Sequence, residues 1–161
     1  MLGEIRVQTE QSSRSATLTS GDRFPAMSIK FSHTFIHVHD QDEALAFYRD
    51  VLGLEVRTDT PFDSWRWLSV GPPTQPDVQL VLCAPEMGRS PQDAEVVRTL
   101  MAKGALDSAI FQVDDLDATF ERIRATGAEV VQEPIDQFYG VRDCAFRDPS
   151  GNQLRFSAKR A

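Results

Sequence analysis

The pattern of apolar and polar residues becomes regular from Phe31. Residues 31–38, FSHTFIHV, are predicted to form a β-strand. Asp40 or Asp42 can then cap a helix through EALAFYRDVLG, which Gly53 ends. Turn-forming residues separate the segments that follow, and these are three further strands with the sequences LEVRTDT, SWRWLSV and DVQLVLCA. The pattern predicts a βαβββ unit.

The same order recurs after a polar connector with a helical pattern, PQDAEVVRTLMAKG. The second set comprises a strand, a helix and three strands, with the sequences DSAIFQV, LDATFERIRATG, EVVQEP, RDCAFRD and NQLRFSA. Asp40 and Asp115 lie 75 positions apart, and Val78 and Asn152, which begin the two last strands, lie 74 apart. A repeat of this length predicts two modules that pair their sheets across a shared cleft, in an α+β domain.

Domain boundaries follow from composition. The first 28 residues are rich in Ser, Thr, Gln and Gly and have no sustained period, so we expect a flexible tail whose deletion leaves the melting temperature nearly unchanged. Residues 29–158 form a single predicted domain. Its parts are module one at 31–85, a connector with a helix at 86–104, and module two at 105–158.

Charge and hydropathy exclude several partners. The formal charge of −7 opposes binding to nucleic acid, which needs clustered Lys and Arg. No apolar run approaches the roughly 20 residues that span a bilayer. The N-terminal residues lack the apolar stretch of a signal peptide, so we expect a cytoplasmic protein. In a reducing compartment Cys83 and Cys144 are expected to be buried thiols.

The strings SHTFIHVHDQDEALAFYRDVLGLEV and FRDPSGNQLRF resemble the glyoxalase, bleomycin-resistance and extradiol-dioxygenase superfamily, also called vicinal oxygen chelate proteins. The resemblance covers residues 31–158, and QEPIDQFYG is similar to small bacterial glyoxalase-like members. It implies paired βαβββ modules that form a half-open barrel around a cavity, and frequently a homodimer.

The resemblance also implies where a metal would be bound, with ligands on the first and last strands of each module. These positions correspond to His33 and Val81 in module one, and to Ser108 and Arg155 in module two. Only His33 is a good ligand, and the guanidinium of Arg155 would repel a divalent ion. We therefore expect no metal cofactor, with Zn, Ni, Fe or Mn as the alternative.

The other histidines give little support for a metal site. His33 and His37 stand roughly 13 Å apart along a strand, too far to share one ion. His37 and His39 are roughly 6.6 Å apart, so the sequence leaves open whether this pair binds a metal.

Strand alternation places His33, Phe35 and His37 on one face, which the resemblance identifies as the cavity face. His33 is the candidate catalytic residue, as a general base. The remaining candidate ligand-binding residues are aromatic or polar: Phe35, His37, Trp65, Trp67, Gln79, Ser108, Gln112, Phe138, Tyr139 and Arg155. Such a pocket suits a planar or anionic organic molecule, with Arg155 holding a carboxylate or phosphate.

Each assignment has an alternative that the sequence leaves open. Trp65 and Trp67 can belong to the sheet core. His33 can be a buried imidazole bonded to backbone, and Arg155 can pair internally with Asp143 or Glu133.

Two further alternatives concern turns. Phe138 and Tyr139 can close over the cavity or form an ordinary turn at Gly140. The DPSGN string is interpreted as a hairpin turn without chemistry.

Two functions remain open. The missing metal ligands favour a protein that binds a small molecule without changing it. The alternative is a metal-dependent lyase, isomerase or dioxygenase of the same superfamily with an altered ligand set. We expect His33, Val81, Ser108 and Arg155 to converge on one cavity in either case.

Overall fold

A computed structural model describes residues 28–159. The main compact unit begins at Phe31, and the described residues before it, 28–30, contain no helix or strand. The predicted tail at 1–28 thus lies almost wholly outside the described residues and stays a prediction. Within residues 28–159 no helix is both long and apolar enough to cross a membrane.

Module one has the predicted βαβββ order. Its elements are β1 (His33–His37), α1 (Gln41–Ala46), a π-helical turn (Phe47–Val51), β2 (Glu55–Phe62), β3 (Trp65–Gly71) and β4 (Gln79–Cys83). Asp40 caps α1, since its side chain accepts hydrogen bonds from the backbone N–H groups of Asp42 and Glu43 at 2.8 and 2.9 Å. Gly53 ends the helical segment at a φ of +75°, a conformation that favours glycine.

A helix in the connector, α2 (Pro91–Ala102), leads to module two. Its elements are β5 (Ser108–Gln112), α3 (Leu116–Arg124), β6 (Val130–Asp136), β7 (Val141–Arg147) and β8 (Gln153–Lys159). Asp115 caps α3 as Asp40 caps α1, because its carboxylate accepts from the N–H of Ala118 at 2.9 Å. The sequence repeat is therefore a structural repeat.

The two modules form separate four-stranded sheets with the orders β1-β4-β3-β2 and β5-β8-β7-β6. In each, the first strand is parallel to the last, with His33 opposite Gln79 and Ser108 opposite Gln153. The predicted α+β class and tandem modules are confirmed. As expected for an arrangement that is only half-open, the two sheets are not closed into a barrel.

One buried cluster joins the helix-bearing sides of both sheets. It includes Ile36 and Leu82 of module one, and Phe146 and Leu154 of module two. Since successive side chains on a strand point to opposite faces, the other face of each sheet points away from this core. Cys83 and Cys144 are both buried free thiols.

The two sequence strings that carry the resemblance meet in a buried hydrogen-bond network. The Tyr48 hydroxyl, from FYRDVLG, donates to Asp148 Oδ2 of DPSGN at 2.9 Å. Asn152 Nδ2 donates to the same carboxylate at 2.9 Å and to the His37 carbonyl at 2.7 Å. Burial, and then the Asp148 carboxylate, raise the pKa of Tyr48 well above its ordinary value. The DPSGN hairpin therefore reverses the chain and also joins module two to module one through these hydrogen bonds.

Candidate functional site

The face of the first sheet that points away from the core carries a continuous group of aromatic rings. We call it the aromatic face and define it by His33, Phe35, Phe62, Trp65 and Trp67. The Trp67 ring lies 5.9 Å from Phe35 and 6.1 Å from His33, both edge-on. Trp65 lies 6.5 Å from Trp67 and stacks on Phe62 at 4.6 Å and 12°. Phe35 and Phe62 are each 47% exposed, so the face presents apolar surface to solvent.

Local sequence explains this arrangement. Trp65 and Trp67 are two residues apart on β3, so their side chains share a face. A two-residue turn, Asp63 and Ser64, places Phe62 opposite Trp65 across the β2–β3 hairpin. The sequence analysis missed Phe62, although its position just before this turn was a usable signal.

The corresponding face of the second sheet is mainly polar. We call it the polar face and define it by residues that alternate along β5, β7 and β8: Ser108, Gln112, Asp143, Gln153, Arg155 and Ser157. Apolar side chains interrupt it, among them Ala145 on β7 and Ile110 on β5, which is 72% exposed. The two faces therefore differ in chemistry although their backbones repeat.

An ion pair occupies the centre of the polar face. Arg155 Nη1 donates to Asp143 Oδ2 at 2.7 Å and to Gln132 Oε1 at 3.3 Å. Asp143 is 1% exposed, and its Oδ1 accepts from Gln132 and Gln137 at 2.8 and 2.9 Å. Of the two internal partners considered for Arg155, the structure therefore has Asp143 and not Glu133.

The charge of Asp143 is well supported. Burial acts to raise its pKa, but hydrogen bonds from Gln137, Gln132 and Arg155 outweigh it, so the pKa lies below the ordinary value. Arg155 thus faces a carboxylate that stays ionised, and its positive charge is already compensated.

His37 is held by two charged side chains. Its Nδ1 and its backbone N–H both lie 2.6 Å from Asp107 Oδ2, and its Nε2 lies 2.8 Å from Arg89 Nη2. A guanidinium only donates, so Nε2 accepts and Nδ1 carries the proton given to Asp107. Both ring nitrogens are engaged, and neither is available to a metal or a ligand in this arrangement.

The residues at the family's metal positions do not fit a metal. His33 is exposed, with Nδ1 3.0 Å from the Ser32 hydroxyl, whereas Val81 is fully buried and has no donor atom. Arg155 brings a positive charge and is bound to Asp143. Among residues 28–159, no three His, Cys, Asp or Glu side chains are grouped so that they could hold an ion. We derive no chemistry through a metal.

Grooves run along β5, whose outer edge is unpaired in its sheet. Gln79 and Ser108, both candidate ligand-binding residues, line the same cavity of about 280 Å³. A larger groove of about 540 Å³ includes Gln112 and Ile110 beside Leu52 and Pro72. Neither contains His33 or Arg155, so the expected convergence of the four family positions stays a prediction.

Phe138 and Tyr139 occupy the β6–β7 turn. They are 98% and 59% exposed, and their rings contact each other edge-on at 5.0 Å. Gly140 completes the turn at a φ of +89°. Their part in closing a cavity remains a prediction.

Comparisons with known proteins agree with this architecture. The solved structure of UcmS2 is 38% identical, with a TM-score of 0.74, covering 81% of this chain and 98% of that one. TnmS3, described as an antibiotic binding protein from Streptomyces sp. CB03234, is 28% identical, with a TM-score of 0.66, covering 83% and 99%. A probable lactoylglutathione lyase from Synechocystis sp. is 29% identical over 125 residues, 76% of this chain and 89% of the lyase.

A family model matches residues 30–156, which is most of the chain, and its description is Glyoxalase/Bleomycin resistance protein/Dioxygenase superfamily. The structure agrees with that match in its repeated βαβββ modules. A buried hydrogen bond also joins the FYRDVLG and DPSGN strings, which carry the resemblance. The chain belongs to the glyoxalase/bleomycin resistance protein/dioxygenase superfamily.

Proposed function

We propose that this protein binds a small planar aromatic molecule without transforming it, and that binding needs no metal. The observation that carries the proposal is the aromatic face, where Phe35, Trp65 and Trp67 keep partly exposed rings in mutual contact. A flat ligand can stack on such rings, and each aromatic contact adds about 0.5–1.5 kcal/mol beyond buried area. The likeness to an antibiotic binding protein supports this class of function.

The cavity is proposed to form between two copies of the chain. Each face points away from the shared core, so the aromatic face of one copy can lie opposite the polar face of another. β1 and β5 are edge strands, and the exposed Ile110 would be covered by such an association. In this homodimer His33, Gln79, Ser108, Gln112 and Arg155 contribute polar groups around the ligand. A cytoplasmic location and the absence of a nucleic-acid partner remain predictions.

The test is a titration with a planar three-ring probe, phenazine-1-carboxamide. The chain has only two tryptophans, and both lie on the aromatic face, so intrinsic fluorescence reports this face directly. We expect saturable quenching, and about tenfold weaker binding by calorimetry for Trp67→Ala, from the loss of stacking. Val96→Ala, which removes an exposed apolar group from α2, should bind as the wild type does. Absence of saturable binding, or equal loss in both variants, would contradict the proposal.

Light scattering tests the dimer separately. A mass of two chains that holds across concentrations is expected, and Ile110→Lys should shift it towards one chain. A strictly monomeric wild type that still binds the probe would place the site within one copy.

A metal-dependent lyase is the second candidate. The identity to a probable lactoylglutathione lyase, together with His33 at the family's first ligand position, favours it. Turnover of lactoylglutathione should then appear with Zn, Ni, Fe or Mn and disappear in His33→Ala. Metal-dependent turnover of this kind would favour the lyase over the metal-free binding protein. Isomerase and dioxygenase activities would be assayed with the same four metals.

A further inference from the structure

Three described cations on or beside the two faces, Arg155, Arg89 and Arg57, are each matched by a carboxylate. The first case is Arg155, whose Nη1 lies 2.7 Å from Asp143 Oδ2. Its other two guanidinium nitrogens, Nε and Nη2, have no protein partner within the described part of the chain. Arg155 can therefore still donate a hydrogen bond, but its charge is already balanced.

The second case is Arg89, beside the last residue of β1. It donates to His37 Nε2, and His37 in turn donates through Nδ1 to Asp107. The His37 ring is hydrogen-bonded to a cation through one nitrogen and to an anion through the other. The three side chains together therefore carry no net charge. An anionic ligand that approaches Arg89 would be repelled by the Asp107 carboxylate, which lies on the other side of the His37 ring.

The third case is Arg57, which covers the backbone of Gly71. A Cβ built on Gly71 would lie 3.1 Å from Arg57 Nε, and Gly71 alternates with Ser69 on the aromatic face. Arg57 Nη1 pairs with Glu55 at 2.9 Å, and Nη2 donates to the Pro72 carbonyl at 2.7 Å. This cation too is compensated within its own module.

We infer that the site selects uncharged aromatic ligands, and that Asp143 is the residue that sets this preference. The inference rests on the proposed function and refines it, because the sequence suggested a planar or anionic ligand, with Arg155 holding a carboxylate or phosphate. An anion that reaches Arg155 must compete with a buried carboxylate already bound there and is repelled by it. A carbonyl or amide oxygen can instead accept from Nη2 without disturbing the pair. The ligand class is a neutral, planar, multi-ring compound with hydrogen-bond acceptors on its edge.

The experiment compares two probes of the same shape. Phenazine-1-carboxamide is neutral, and phenazine-1-carboxylate is ionised at about pH 7.5. Both are titrated into the full chain, with tryptophan fluorescence and calorimetry as readouts. We expect the wild type to bind the carboxamide at least about tenfold more tightly than the carboxylate.

Two variants assign the preference to Asp143. Asp143→Asn removes the negative charge but keeps the shape, so carboxylate affinity should rise about tenfold while carboxamide affinity changes little. Arg155→Gln should show no such gain. Asp50→Asn is the matched control, since Asp50 forms an exposed ion pair with Arg49 on the π-helical turn and lies on neither face. Circular dichroism and melting curves establish that each variant is folded.

The outcomes separate the two proposals. Equal or tighter binding of the carboxylate by the wild type overturns the inference and leaves the proposed function standing. No binding of either probe overturns the proposed function, and the inference with it. If Asp143→Asn does not fold, the wild-type comparison and Arg155→Gln still decide the question. If Asp50→Asn raises the affinity for the carboxylate as much as Asp143→Asn does, the effect comes from net charge alone. That result would overturn the assignment of the preference to Asp143.

Discussion

The two modules share one backbone plan but place opposite chemistry at equivalent positions. On the first sheet Ser69 lies opposite Val81, and Trp67 is two residues earlier. On the second, Ala145 lies opposite Arg155, and Asp143 is two residues earlier. Trp67 and Val81 in module one thus correspond to Asp143 and Arg155 in module two.

An apolar pair in one module is therefore an ion pair in the other. The repeat constrains the strands, the caps and the core side, where both modules need apolar residues. It does not constrain the outer faces, so these could diverge into an aromatic and a polar surface. The side chains that differ between the modules therefore lie on the outer faces, which are the faces proposed to bind the ligand.

The largest effect is expected where the modules are joined. Asp148→Ala removes a buried carboxylate that accepts hydrogen bonds from Tyr48 and Asn152, and should lower the free energy of unfolding by about 3 kcal/mol. Urea denaturation measures this. Tyr48→Phe deletes one of these bonds and should cost only about 1 kcal/mol. If Asp148→Ala costs no more than Tyr48→Phe, the modules are not held together by this network.

The next largest effect is expected at the ion pair on the polar face. Arg155→Met should leave Asp143 buried and unpaired and cost about 2 kcal/mol, allowing for the partial exposure of Arg155. Arg155→Met with Asp143→Leu makes the polar face resemble module one, and should cost about 1 kcal/mol less than the single change. Arg142→Met, which breaks exposed ion pairs on the same sheet, should change stability by under about 0.5 kcal/mol. Additive costs of the two changes in a double-mutant cycle would deny the coupling.

Acid should affect module two through the same pair. The pKa of Asp143 is lowered in the folded chain, so its contribution to stability is present above the unfolded value of about 3.9. That contribution is lost as the pH falls through the lower folded value. Chemical denaturation between about pH 2 and pH 6 should show a decline below about pH 4 that is smaller in Asp143→Asn. Parallel declines in both proteins would assign the acid sensitivity to other carboxylates.

The smallest effect concerns the edge of the aromatic face. Phe62 is half-exposed and stacks on Trp65, so Phe62→Ala should lower stability by only about 0.5–1 kcal/mol. It should still weaken probe binding severalfold, since it removes part of the stacking surface. A thermal melt and a fluorescence titration measure the two quantities. Unchanged binding would restrict the ligand to Trp67 and Phe35.

Much of the fold could be predicted because its causes are local. Asp40 and Asp115 precede apolar helical patterns, and their spacing alone indicates the repeat. Alternation also put His33 and Phe35 on one face of their strand, and Trp65 and Trp67 on one face of theirs. Phe62 was missed only because the hairpin register was not traced back across its two-residue turn.

The hydrogen-bond and ion-pair partners of the polar side chains could not be predicted in the same way. Arg155 had two candidate carboxylates, and only the β7–β8 register brings Asp143 within 2.7 Å of it. His37 has the right alternation for a ligand-facing residue, but Asp107 and Arg89 occupy its nitrogens. Arg89 comes from the connector and Asp107 from the residues just before β5, 52 and 70 positions away from His37.

The α+β class, the two βαβββ modules and the helix caps follow from the sequence alone, because capping, alternation and period act over a few residues. The folded chain was needed to establish which charges are balanced, and that the sheets join through their helix-bearing sides with the aromatic and polar faces turned outward. Those outcomes depend on contacts between residues as distant as Tyr48 and Asp148, which hydrogen-bond across 100 positions. A buried polar group takes whichever partner the folded chain brings within about 3 Å, and spacing along the sequence does not encode that distance.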